Sequence, residues 1–174
     1  MGCRQIGGDQ WGDVSEEHAL ETLHAANEAG ITFYDTANIY GLGRSESLVA
    51  KFIDSVGRTD LFLATKLGRW PDPGLAGNIA AAAIRKHSEA SLARLKVDAL
   101  DLTQLHCAPE TLLEDGQVFE TLRALQSEGK IRRWDASVES TAAAKLCLAQ
   151  PGMASLQVIF IIFRQTPLFA LLKV

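Results

Sequence analysis

Five times along this chain a helical pattern gives way, across a short gap, to an apolar run short enough for a β-strand, and that alternation limits the fold more than any other feature. Asp13 or Ser15 can N-cap a helix to about Ala29, with Leu20, Leu23 and Ala26/Asn27 on adjacent turns, and Gly30 stops it ahead of strand 31–35. Ser45 can cap a second helix, whose stripe is Leu48, Phe52 and Val56 and which Gly57 ends ahead of strand 61–66. An Ala-rich helix from roughly Asn78 to Leu95 leads into strand 100–105. A helix from about Asp115 to Ser127, stopped by Gly129, leads into Lys130 to Val138, and a last helix, Ser140 to Ala149, precedes strand 155–160.

Short, nearly continuous apolar strands are covered on both faces, and the helices between them supply the cover, so the sheet is parallel with helices packed outside it. Right-handed crossovers then fix the hand of the chain. Periodicity alone leaves both a closed (β/α) barrel and a doubly wound open sheet available. A dinucleotide-binding doubly wound fold would carry G-x-G-x-x-G after its first strand, and the glycine-dense stretches Gly7-Gly8 and Gly41-Leu42-Gly43 do not supply it. The expected fold is therefore α/β, of the (β/α)8 TIM-barrel type, as a single domain over residues 1–174.

Composition narrows the partners. At 47% apolar the chain can bury one core, and a net charge of -4 with interspersed signs lacks the basic stripe of a nucleic-acid surface. Cys3, Cys107 and Cys147 are odd in number and lack CxxC spacing, so neither a disulfide framework nor a metal site is expected. His18, His24 and His87 fall on helices and read as surface groups, and Cys107 as a small buried residue. No basic segment followed by an apolar run opens the chain, and the longest apolar stretch, Met153 to Phe163, is interrupted by Ser155 and Gln157. Neither secretion nor membrane insertion is expected, and reduced thiols suit the cytoplasm.

Reactive side chains stand where the strands run out: Asp35 after Ile31-Thr32-Phe33-Tyr34, Lys66 after Leu61-Phe62-Leu63-Ala64-Thr65, and His106 after Leu100 to Leu105, with Tyr40 shortly beyond the first. Equivalent strand ends of a parallel sheet share one rim, so these residues converge on a single site. A phenol with an ordinary pKa near 10 is a proton donor at neutral pH, and a nearby ammonium, here Lys66, stabilises its phenolate. Asp35 on the neighbouring strand can hold that lysine by a charge-assisted hydrogen bond. His106 can orient a carbonyl oxygen while Tyr40 protonates it. The set suits carbonyl reduction, for which a reduced nicotinamide is the natural hydride source.

The segment Phe33-Tyr34-Asp35-Thr36-Ala37-Asn38-Ile39-Tyr40-Gly41, followed by Gly43-Arg44-Ser45-Glu46, resembles the D-T-A-x-x-Y-G-x-x-S-E signature of the aldo-keto reductase family. Ala64-Thr65-Lys66 is similar to that family's lysine strand, Leu102 to His106 to its histidine strand, and Gly129-Lys130-Ile131-Arg132 to its G-K-I-R. The resemblance runs from about Gly7 to Gln165. The resemblance implies an NADP-dependent oxidoreductase that reduces an aldehyde or ketone, or runs in reverse, holding NADPH without a Rossmann domain; NAD is not excluded. It further implies Tyr40 as general acid, Lys66 and Asp35 as its tuning pair and His106 as the carbonyl-orienting residue. Ser137 and Gln157 match positions that contact the nicotinamide carboxamide. Trp70, on the loop after the lysine strand, can line a substrate pocket or pack on the rim.

The chain departs from the family pattern in several places. A barrel of this kind needs about 250 residues, so the resemblance implies an incomplete barrel of about strands 1–6, without the last two strands and the part that grips the adenosine phosphates. Asp135-Ala136-Ser137 stands where the family commonly has glycine at the start of G-V-S, Val138 where many members have asparagine, and Ile161 where a polar residue is common. Open sheet edges and the uncharged run Val158 to Phe163 favour self-association. Two other readings are carried forward: an inactive remnant or regulatory module that cannot hold NADPH alone, and a metal-dependent barrel hydrolase. The hydrolase lacks a His-x-His at a strand end.

Overall fold

A computed structural model describes residues 1–8, 12–58 and 60–171. A 3₁₀ turn, Gln5–Gly7, is followed by α1 (Glu16–Glu28), β1 (Phe33–Asp35), α2 (Arg44–Val56), β2 (Phe62–Leu67), α3 (Leu75–Ile79), α4 (Ala81–Leu95) and β3 (Leu102–His106). Then come α5 (Glu110–Asp115), α6 (Gln117–Ser127), β4 (Trp134–Val138), α7 (Thr141–Leu148), β5 (Leu156–Val158) and α8 (Thr166–Leu171). The five strands are parallel and lie in sequence order, β1-β2-β3-β4-β5. Gly2 forms a further parallel bridge with Asp35, so the first residues run beside β1. Gln157 on β5 donates to Asp35 on β1 (Nε2 to Oδ2, 3.2 Å), a contact between the first and last strands that only a curled sheet permits. This is an incomplete (β/α) barrel, the fold class expected from the sequence and its family resemblance, with five strands in the sheet where about six were expected.

Pleating assigns the two faces. Tyr34, Leu63, Leu67, Leu105, Trp134, Ala136 and Val138 point outward beneath the helices and are buried. Tyr34 meets Phe52 of α2 and Trp134 meets Phe119 of α6. The alternate residues, among them Phe33, Phe62, Lys66, Gln104, His106, Asp135, Ser137 and Gln157, line the concave face. That face is uncovered at its lower end, where Phe33 and Phe62 stack at 5.1 Å and Phe33 is 44% exposed.

Several elements differ from the sequence expectation for local reasons. Ser15, not Asp13, caps α1 by accepting from His18 N–H. Ser45 caps nothing: α2 starts at Arg44, and the Ser45 hydroxyl bonds the Thr36 hydroxyl and the Cys3 carbonyl, tying α2 to the strand ends. Val56 is exposed rather than part of a buried stripe. The Asn78 to Leu95 helix breaks at Ala80, whose ψ is 147°. The cause is the buried Asn78 side chain, which donates to the Trp70 and Gly74 carbonyls and bonds His87, a local network that competes with a continuous helix. Asp115 ends α5 instead of starting the next helix, because Gly116 takes a left-handed conformation (φ 78°) between the two. Strand 130–138 is ordered as β4 only from Trp134, and strand 155–160 is reduced to Leu156–Val158. Among the described residues no helix is long and apolar enough to cross a membrane.

Candidate active site

The loop from β1 to α2 carries Tyr40 and is held by backbone contacts. Asn38 N–H donates to Lys66 O and Thr36 N–H to Ala64 O, continuing the β1–β2 ladder past the strand end. Gly41 (φ 58°) lies so close to Gly7 that a Cβ on it would stand 2.3 Å from the Gly7 carbonyl oxygen. Here Gly7 and Gly41 find their use: they let the 3₁₀ turn abut the Tyr40 loop. Below, the fully buried Glu46 accepts from Thr65 (2.6 Å) and Arg94 (2.6 Å), locking α2 to β2 and α4.

This scaffold gathers all four strand-end residues. Lys66 is 3% exposed, and its ammonium donates to the Asp35 carboxylate and to the Thr36 carbonyl. Its Nζ stands 5.7 Å from the centre of the Tyr40 ring. Tyr40 and His106 meet edge to face at 5.9 Å, and Arg4 lies over the Tyr40 ring at 6.0 Å. His106 Nδ1 is buried and has no hydrogen-bond partner among the described residues.

Electrostatics correct one expectation. The Lys66 ammonium does not bring the phenol toward neutrality: burial, reinforced by the Asp35 charge, pushes Tyr40 up to about 12, against the opposing pull of Arg4. Lys66 is ion-paired with Asp35. Burial, with Lys66, Arg69 and Arg4 nearby, lowers His106 to about 3, so the imidazole is neutral across the physiological range. A neutral imidazole can donate from one nitrogen and accept at the other.

Ser137 and Gln157 are register partners on β4 and β5, and Ser137 is also the partner of His106, so one row of the concave face carries all three. Trp70 turns away from that row: its ring meets His87 at 5.8 Å and Arg94 at 5.9 Å, both on α4. His87 is therefore buried and not a surface group, because it completes the Asn78 network. Cys107 is only half-buried and adopts a left-handed φ of 55°, while Cys3 and Cys147 are the buried thiols. The sequence reading missed Arg4, Arg69 and the buried pair Gln104–Asp135 (3.2 Å). The one signal for that pair was a carboxylate at the position where the resemblance put glycine.

Comparison with known proteins accounts for this geometry. Residues 1–173 match the aldo/keto reductase family. The aldo-keto reductase YhdN of Bacillus subtilis is 40% identical over 134 residues, covering 76% of this chain and 40% of that protein. The uncharacterized oxidoreductase YqkF of the same organism is 33% identical over 172 residues, 96% of this chain and 53% of that protein. Among solved structures, aldo-keto reductase AKR11C1 from Bacillus halodurans in its holo form superposes with a TM-score of 0.84 at 30% identity, over 97% of this chain and 55% of that one. An aldo/keto reductase from Klebsiella pneumoniae in complex with NADP and acetate gives 0.80 at 26% identity, over 98% and 57%. The chain thus spans about half the length of the relatives it matches. With the match running almost end to end, this chain belongs to the aldo/keto reductase family.

Proposed function

We propose that the chain is an NADP-dependent oxidoreductase that reduces an aldehyde or ketone to an alcohol, acting in the cytoplasm. What supports this most is the convergence of Asp35, Tyr40, Lys66 and His106 within one rim of the sheet. When bound, a reduced nicotinamide supplies the hydride. The residues present suit its carboxamide: the Ser137 hydroxyl is half-exposed on the concave face, and Gln157 donates to Asp35 through Nε2, leaving Oε1 available to accept.

Neutral His106 donates to the substrate carbonyl oxygen and orients it toward Tyr40. As negative charge develops on that oxygen, Tyr40 gives up its proton. A phenol at about 12 is still a far stronger acid than an alcohol, whose pKa is close to the roughly 16 of water, so the transfer runs downhill. Lys66, held by Asp35, stabilises the resulting phenolate. In the reverse direction Tyr40 must first be ionised, so its raised pKa slows alcohol oxidation at neutral pH, while the net direction follows the cofactor ratio. Purified chain with NADPH and a panel of aldehydes and ketones should show NADPH oxidation that Tyr40→Phe lowers by about 10²- to 10⁴-fold, the usual contribution of a positioned general acid. Turnover unaffected by Tyr40→Phe would overturn the assignment.

The open concave face supports a second reading, a module that cannot hold NADPH alone and that self-associates through its uncovered face. Phe33, Ile162 (82% exposed) and Phe163 (96%) leave apolar surface for such contacts. Titration of NADPH followed by nicotinamide fluorescence separates the two: micromolar binding favours the reductase, and no binding up to millimolar cofactor favours the module.

A further inference from the structure

Among the described residues, Asp135 is the one carboxyl on the concave face of the strands that the reaction above does not use. It is 1% exposed. Its Oδ2 accepts from Gln104 Nε2 (3.2 Å) and from the Ser155 hydroxyl, while Oδ1 and Gln104 Oε1 are both buried without a partner among the described residues. The register Lys66↔Gln104↔Asp135 forms the row directly beneath His106↔Ser137↔Gln157. A carboxylate with both donors on one oxygen is only partly compensated for its burial.

We propose that Asp135 sets the preference of this site between the two redox states of its nicotinamide cofactor, favouring the oxidised form when it is ionised. The inference rests on the reductase reading. Two residues along one face of a strand are separated by about 7 Å, so a nicotinamide held through Ser137 stands within the field of Asp135. The oxidised ring is cationic and the reduced ring neutral, so only the oxidised form gains from a carboxylate there. With the cofactor bound, the same carboxylate would lower the cost of positive charge on the ring, a contribution to transition-state stabilisation.

The proton balance of Asp135 makes this preference pH-dependent. Burial raises its pKa above the ordinary carboxylate value, and the Ser155 and Gln104 hydrogen bonds and the Lys66 charge oppose that rise. The groups facing it are Lys66 on β2, Asp35 on β1, Gln104 on β3, Ser155 before β5 and Cys147 on α7. Cys147, pushed up to about 11, holds its proton in the range of interest.

The test is to titrate NADP⁺ and NADPH separately into the chain from about pH 4.5 to about pH 9, upward from the ordinary carboxylate range, and to follow the ratio of the two Kd values. Taking the ratio cancels the titration of the 2′-phosphate. The expected result is a ratio Kd(NADP⁺)/Kd(NADPH) that falls about tenfold as Asp135 ionises, equivalent to a one-unit difference in its pKa between the two complexes. Asp135→Asn should flatten the profile at the low-pH ratio, and Ser155→Ala, which removes a donor to the carboxylate, should move its midpoint upward. A flat ratio in the unaltered chain, or a profile retained in Asp135→Asn or unshifted in Ser155→Ala, overturns the inference while leaving the reductase reading intact. Binding of neither nucleotide at any pH overturns both.

Discussion

At the scale of residues, the site is governed by desolvation more than by pairwise charge. Burial is the largest influence on Tyr40, His106 and Asp135 alike, since each loses water that would solvate its charged form. His106 gives a stability prediction. The unfolded chain, with an ordinary imidazole, takes up a proton as pH falls through about 6.5, whereas folded His106 stays neutral down to about 3. In that window the unfolded state binds more protons, so stability falls with falling pH, by up to about 1.4 kcal/mol per unit. Urea unfolding at stepped pH should show this acid slope, and His106→Gln should reduce it; an unchanged slope would place the acid sensitivity elsewhere. The four candidate residues were legible one by one because a position at or just beyond a strand end is a local property of the sequence. The ionisation of Tyr40 was not, because it depends on how much protein surrounds the ring.

At the scale of elements, stability concentrates where helices are pinned to the sheet. Glu46 on α2 is buried between Thr65 and Arg94. Arg94→Met leaves that carboxylate without its cation and should cost about 3 kcal/mol or more, read as a fall in the urea midpoint with an unchanged m-value. The Gly7–Gly41 contact is a second pin. Gly41→Ala adds a Cβ at a positive φ against the Gly7 carbonyl and should cost about 2 kcal/mol or more; it should also displace Tyr40, so that carbonyl turnover falls further than NADPH affinity. The existence and order of α1, α2, α4, α6 and α7 were readable from periodicity and from the glycine stops, whereas the short helices α5 and α8 were not expected. The breaks at Ala80 and Gly116 were not, because the first needs the Asn78 side chain to find Trp70 O, Gly74 O and His87, and the second needs Gly116 to adopt the left-handed form.

At the scale of the whole molecule, the five strands curl far enough to bring Gln157 to Asp35, yet their concave face carries exposed Phe33, and the segment after β5 exposes Phe160, Ile161, Ile162 and Phe163. Light scattering of the chain at rising concentration should report association, and replacing Ile162 and Phe163 together by lysine should reduce it, since apolar surface of this kind otherwise finds a partner. A monodisperse monomer in the unaltered chain would refute that expectation. The sequence by itself determined the αβ alternation, the order of the strands and the identity of the side chains at their ends, because spacing and periodicity act within one element. Tertiary structure alone decided which strand residues face the concave side, how far burial raises the Tyr40 phenol, that His87 is buried, and that Asp135 sits beneath Ser137. Those outcomes depend on exclusion of water and on approach between segments far apart in sequence, and neither is written in any single stretch of the chain.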